Sequence, residues 1–149
     1  MKKIQLIGII IILMLISVII LISPYSPLNK ITVNGESMKI PKGYAIKNTT
    51  KVGTTISNKT NQLSIYPSEA KDLEAETAKY KAKYSEGFNI TIQKMETNNK
   101  QEIFKTEAQN GTKVITKYYF RHNNKTFIVR SKNAVPETDK VVQKLFSSI

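Results

Sequence analysis

Residues 4–23 are apolar almost without interruption, and nothing downstream repeats that density; from Ile31 onward apolar and polar positions alternate in short, regular periods. The first run carries no charge over 20 residues. At about 1.5 Å per residue it reaches the roughly 30 Å of a bilayer's hydrocarbon core, which predicts a transmembrane helix. Two prolines and a serine within residues 24–30 resist helix continuation and predict a spacer. A single domain over residues 31–149 is then expected, long enough for one core and too short for two.

Within that domain the period is two at first. Ile31-Thr32-Val33, a two-residue Asn34-Gly35 turn and Ser37 to Ile40 predict a hairpin, which Pro41-Lys42-Gly43 ends. Tyr44 to Lys47 extend the chain, and Val52 to Ser57 with Gln62 to Tyr66 predict a second hairpin around Asn58 to Asn61. At Pro67-Ser68 the period changes to about 3.6: Leu73, Thr77, Tyr80 and Tyr84 share one face of a helix. Ser68 is the expected cap, with Glu69 and Asp72 at the positive end of the dipole, Lys79 to Lys83 at the negative end and Gly87 beyond.

Alternation resumes in Phe88, Ile90 and Ile92 and continues in a strand over Glu102 to Ala108, with Asn98 to Lys100 as the turn between them. Asn110-Gly111 predicts a hairpin into Lys113 to Arg121, where Val114, Thr116, Tyr118 and Phe120 share a face. His122 to Lys125 turn the chain into Thr126 to Ser131, and a last helix begins near Pro136 with Val135, Val142, Leu145 and Ile149 as its stripe and Phe146 beside it. The fold class expected is α+β, with one mostly antiparallel sheet packed by two helices.

Competing readings of the N-terminus are weaker. A cleaved secretory signal has a shorter apolar core and small residues at its cut site, whereas this run ends at Ser23-Pro24-Tyr25-Ser26-Pro27. Lipoprotein processing needs a cysteine, and the chain has none. A prepilin-type leader needs an acid near its glycine, and none appears before Glu36. Lys2 and Lys3 on the short side place residues 1–3 in the cytoplasm, residues 4–23 in the membrane as a retained single-pass signal anchor, and the domain outside the cell. Sequons at Asn48, Asn58, Asn89, Asn110 and Asn124 are candidate N-glycosylation sites for an exported domain.

The net charge of +12 falls to +10 for residues 24–149 once Lys2 and Lys3 are subtracted. Such a surface suits anionic cell-envelope polymer or lipid headgroups. The densest stretch, Lys79, Lys81 and Lys83, supplies the candidate polyanion contacts, together with Arg121 and Lys125. Arginine, suited to bidentate phosphate contacts, stands only at Arg121 and Arg130, and no nucleic-acid partner is expected.

Catalysis has little to draw on. The chain holds one histidine, His122, in a predicted turn, and two aspartates, Asp72 and Asp139. Glu74 and Glu76 lie two apart on a helix and so on different faces, and capping explains the other acids better than paired-carboxylate chemistry. Zinc or calcium spacing is absent, and the isolated glycines cradle no phosphate. Tyr119 with Ile115 stands on the other face of its strand, either as an exposed patch or beneath a helix.

The layout over residues 31–149 resembles the PsbP-like α/β sandwich. The features it shares are a short opening strand into the Pro-x-Gly-aromatic step of Ile40-Pro41-Lys42-Gly43-Tyr44, a helix after the first hairpins, a meander, and a closing apolar helix ending Leu145-Phe146-Ser147-Ser148-Ile149. The resemblance implies a binding or accessory role for a small exported or anchored protein and assigns no functional residue. The expectation is an accessory domain without catalysis, metal or cofactor, tethered through residues 4–23 and binding a protein or cell-envelope partner. The alternative is a basic module adhering to anionic polymer or headgroups.

Overall fold

A computed structural model describes residues 2–22 and 29–149, with side chains of 2–6 and 18–22 outside the description. It divides into two compact units, residues 1–30 and 31–149. In the first, α1 runs Lys2–Ile22. Among the described residues no helix is long and apolar enough to cross a membrane. That corrects the transmembrane signal anchor expected over 4–23, and with it the single-pass topology and the extracellular placement of the domain. The predicted spacer falls mostly on residues outside the described set.

The second unit is α+β. A hairpin of β1 (Lys30–Val33) and β2 (Glu36–Lys39) opens it, turning through Asn34 and Gly35 at φ of 50° and 80°. Both residues need positive φ in this tight turn, which asparagine and glycine tolerate. Seven strands then form one sheet: β3 (Ala45–Thr49), β4 (Thr54–Ser57), β5 (Gln62–Ser68), β6 (Asn89–Glu96), β7 (Glu102–Asn110), β8 (Lys113–His122) and β9 (Lys125–Ser131). Their spatial order is β3-β4-β5-β9-β8-β7-β6, with every neighbouring pair antiparallel. Four alternations separate β5 from β6, so these two strands point the same way. Helix α2 (Leu73–Lys83) joins them by crossing one face, and it packs on β7 and β8.

The opposite face is covered by α3 (Pro136–Phe146) and the β1–β2 hairpin. Met38, Ile56, Leu63, Phe127, Val142 and Phe146 are among its fully buried side chains, and Phe146 stacks on Phe120 at 4.4 Å. A smaller core of Leu73, Tyr80, Phe104, Ala108, Tyr119 and Ile128 lies under α2. The two cores follow from the period of two in each strand, which sends Tyr118 and Tyr119 to opposite faces, both buried. Each face of the sheet is therefore apolar where a helix lies on it.

The start of α2 differs from the sequence reading. Asp72, not Ser68, is the N-cap, its carboxylate accepting from the Ala75 amide at 2.7 Å. Ser68 still belongs to β5, paired with Thr126. The apolar face of α2 is nearly as expected, with Leu73, Thr77 and Tyr80 buried and Tyr84 partly so. In α3 the buried set is Thr138, Val142, Leu145 and Phe146, while Val135 caps the helix and is exposed.

Candidate anion-binding face

Helix α2 covers only part of its side of the sheet. Over β4, β5 and the end of β9 that side stays open, with Thr55, Ser57 and Ser64 half-buried and Arg130 exposed. Register aligns these residues in one row across the strands. Thr55 pairs with Ser64, Ser64 with Arg130, Arg130 with Lys117, and Lys117 with Thr106. Cross-strand partners point to the same face with Cβ atoms about 5 Å apart. Two cations thus stand side by side near the middle of the sheet, beside two hydroxyls that share a hydrogen bond at 3.1 Å.

Like charges directly opposite in a sheet oppose folding. Lys117 sits at the edge of the α2 footprint, its ammonium 5.7 Å from the Tyr80 ring centroid. Burial holds Lys117 below the usual lysine pKa, and the charges of Lys83 and Arg130 push it the same way, against a smaller pull from Glu76. Among the described residues neither Lys117 nor Arg130 forms an ion pair. Glu76 is otherwise engaged: Ser68 donates to it through a short hydrogen bond, and Lys79 lies 3.6 Å away. Burial raises the pKa of Tyr66, one row along the sheet, while Arg130 draws it down, so its phenol borders the same cluster. Lys47 reaches toward the open half as well, its ammonium donating to Gln62 at 2.9 Å.

The candidates read from the sequence are scattered by the fold. Lys83 joins the cluster through its charge on Lys117. Lys79 is paired with Glu76, and Lys81 is turned about 200° round the helix from it. Arg121 lies at the far end of β8, opposite Thr126, with its Nη1 buried and without a hydrogen bond. Lys125 reaches Glu36 at 2.9 Å and holds its carboxyl below the usual range. Lys117 and Arg130 were missed. The signal for Lys117 was a lysine between Ile115 and Tyr119 on a strand face that a helix covers.

The other polar groups have structural partners. Tyr118 donates to Asp139 at 2.7 Å, and Lys105 lies 3.1 Å from both Asp139 and Glu107, fastening the first turn of α3 to β7 and β8. Burial works to lower the Lys105 pKa, but these two carboxylates outweigh it and raise the value. His122 stacks on Phe120, ring centroids 6.2 Å apart. An open cleft of about 720 Å³ at the β6–β7 turn is lined by Lys94, Glu96, Lys100, Glu102 and Gln143, whose charges are matched in the pairs Lys94–Glu102 and Lys100–Glu96. Among the described residues no cluster of acids and histidine has the makings of a metal site. The five sequon asparagines are all exposed, and Asn58 spends its side-chain oxygen on the amides of Thr60 and Asn61.

Comparison with family models and with curated proteins returns no match.

Proposed function

We propose that this chain is an accessory binding domain for an anionic polymer, engaged on the open half of the sheet beside α2. The observation that carries the reading is the cross-strand pair Lys117–Arg130, two cations in register on neighbouring strands with no carboxylate paired to either among the described residues. Such a pair weakens the free domain and is relieved when negative charge arrives. Lys83 from α2 and Lys47 from β3 widen the same field. The row itself is built of cations and hydroxyls, a constellation that holds negative charge. The resemblance to PsbP-like domains, which implies binding or accessory roles, agrees with this.

The test is affinity of the full-length chain for a fluorescent acidic polysaccharide across a salt series. Charge-driven binding weakens linearly in log affinity against log salt. Replacing Lys83, Lys117 and Arg130 by serine is expected to flatten that slope by about 2 to 3. Replacing Lys42, Lys100 and Lys140 removes the same charge elsewhere and is expected to change it little. Equal losses in the two triples would leave only diffuse charge and overturn the assignment of the face.

A further inference from the structure

We infer that the centre of this face is a discrete seat for one phosphoryl group, held between Lys117 and Arg130 with Ser64 alongside. The inference rests on the anionic-polymer reading and names the chemistry its ligand carries. The geometry is a row built at the spacing of neighbouring strands, about 4.8 Å apart. Lys117 and Arg130 rise from adjacent strands on the same side of the sheet, Ser64 follows on the next strand, and Lys83 contributes from the helix above. Two cations therefore stand side by side on the sheet floor, and the charge of Lys83 on α2 reaches Lys117.

That arrangement suits a phosphoryl group better than a carboxylate. A carboxylate carries one charge and is met in its plane by a single guanidinium. A phosphomonoester carries about −1.5 to −2 at neutral pH and presents three acceptor oxygens, which matches donors placed around it on separate elements. Arg130 supplies a fork for two of those oxygens, Lys117 a compact charge on one side, and the Ser64 hydroxyl a neutral donor on the other. Thr55 takes up the remaining capacity of Ser64 at 3.1 Å and steadies it in the row.

Titration calorimetry of the full-length chain, at constant ionic strength, tests the seat with inorganic phosphate, glycerol phosphate, dimethyl phosphate and acetate. The expected result is one-to-one saturable binding of phosphate at least about tenfold tighter than acetate. Arg130→Lys keeps the charge and the fold but loses the fork, and is expected to weaken phosphate by roughly fivefold or more. Lys117→Met is expected to abolish it. A preference for glycerol phosphate over dimethyl phosphate assigns the seat to a terminal phosphomonoester, and comparable binding of both assigns it to phosphodiesters within a chain.

Phosphate binding no tighter than acetate, or unchanged in both variants, overturns the seat. If that happens while the polymer still responds to the Lys83, Lys117 and Arg130 triple, the wider reading stands and the seat alone fails. If the polymer does not respond either, both fail together.

Discussion

Replacing Lys117 by methionine should stabilise the domain while it weakens anion binding. Lys117 and Arg130 face each other across β8 and β9 with Cβ atoms about 5 Å apart. Two unit charges held as close as those Cβ atoms would repel by about 0.8 kcal/mol in water and by about 3 kcal/mol at an effective dielectric near 20, and these are upper bounds because the charged ends of both side chains can splay apart. Arg130 is exposed, so the lower figure governs, and 0.15 M salt screens part of it. Methionine keeps the stem that lies by Tyr80 and removes the charge, and the cross-strand scale of 0.2–1 kcal/mol agrees with a net gain of about 0.5 to 1 kcal/mol. Urea is the right denaturant because it leaves ionic strength alone, and the gain should appear as a higher midpoint at unchanged slope. It should shrink between 0.05 and 0.5 M NaCl. It should also close with pH: Lys117 is held below 10.5 in the fold, so the folded form sheds this proton before the unfolded chain does, and parental stability recovers as pH rises through that interval. A variant less stable than the parent by 1 kcal/mol or more, or a gain indifferent to salt, would refute the claim that the pair is an uncompensated charge conflict.

Phe146→Ala removes a fully buried ring stacked on Phe120 and should cost about 3–5 kcal/mol in urea unfolding; a cost under about 1 kcal/mol would mean that α3 is not fixed by that contact. Asp139→Ala strands the Tyr118 hydroxyl and half of the Lys105 pairing, with an expected loss of about 2–4 kcal/mol, and Asp139→Asn should recover part of it by accepting from Tyr118. Gly53→Ala would drive a methyl into the Ile65 carbonyl and should lower stability by about 1–3 kcal/mol or more, with β4 amides losing hydrogen-exchange protection first. In alkali, burial raises Tyr80 to about 12 and holds Tyr118 and Tyr119 higher still, so the fold keeps protons that the unfolded chain releases near pH 10. Stability is then full below about pH 10 and falls above it, and absorbance at 295 nm should show these phenols ionising together with loss of circular dichroism; reversible ionisation near pH 10 in a folded chain would contradict their burial.

The hairpins and helices were legible because turn chemistry and periodicity are local. Asn34-Gly35 and Asn110-Gly111 announced two hairpins, and both glycines take the positive φ their turns need. The helix start was misplaced for a tertiary reason. Pro67 looked like a break, yet β4 pairs with β5 only as far as Ile65, so Pro67 sits where β5 has a partner on one side alone, and its missing N–H costs nothing on the open side. Asp72 is then the first side chain free to cap.

The candidate face was largely illegible. Lysine density pointed to Lys79, Lys81 and Lys83 because they are close in sequence, but helix geometry turns Lys81 away and Glu76 takes Lys79. Lys117 and Arg130 are separated by a whole hairpin, and their meeting is a property of register. Which part of the sheet stays open depends on α2 crossing toward β6, and no residue in the helix announces that route. The second core followed more readily: Ile115 and Tyr119 alternate with the β8 residues that face α3, and α2 covers them.

The most direct test of where anions bind uses the absence of cysteine from the sequence. Ser64→Cys places one thiol in the row beside Arg130, and Asn99→Cys places one on the distant β6–β7 turn. Alkylation rates are measured for each full-length variant with and without an acidic polysaccharide at low and at high salt. The polymer should slow modification at position 64 at low salt, added salt should restore the rate, and position 99 should be unaffected. Equal rates at position 64 with and without polymer, under conditions where the polymer is bound, would contradict binding on this face.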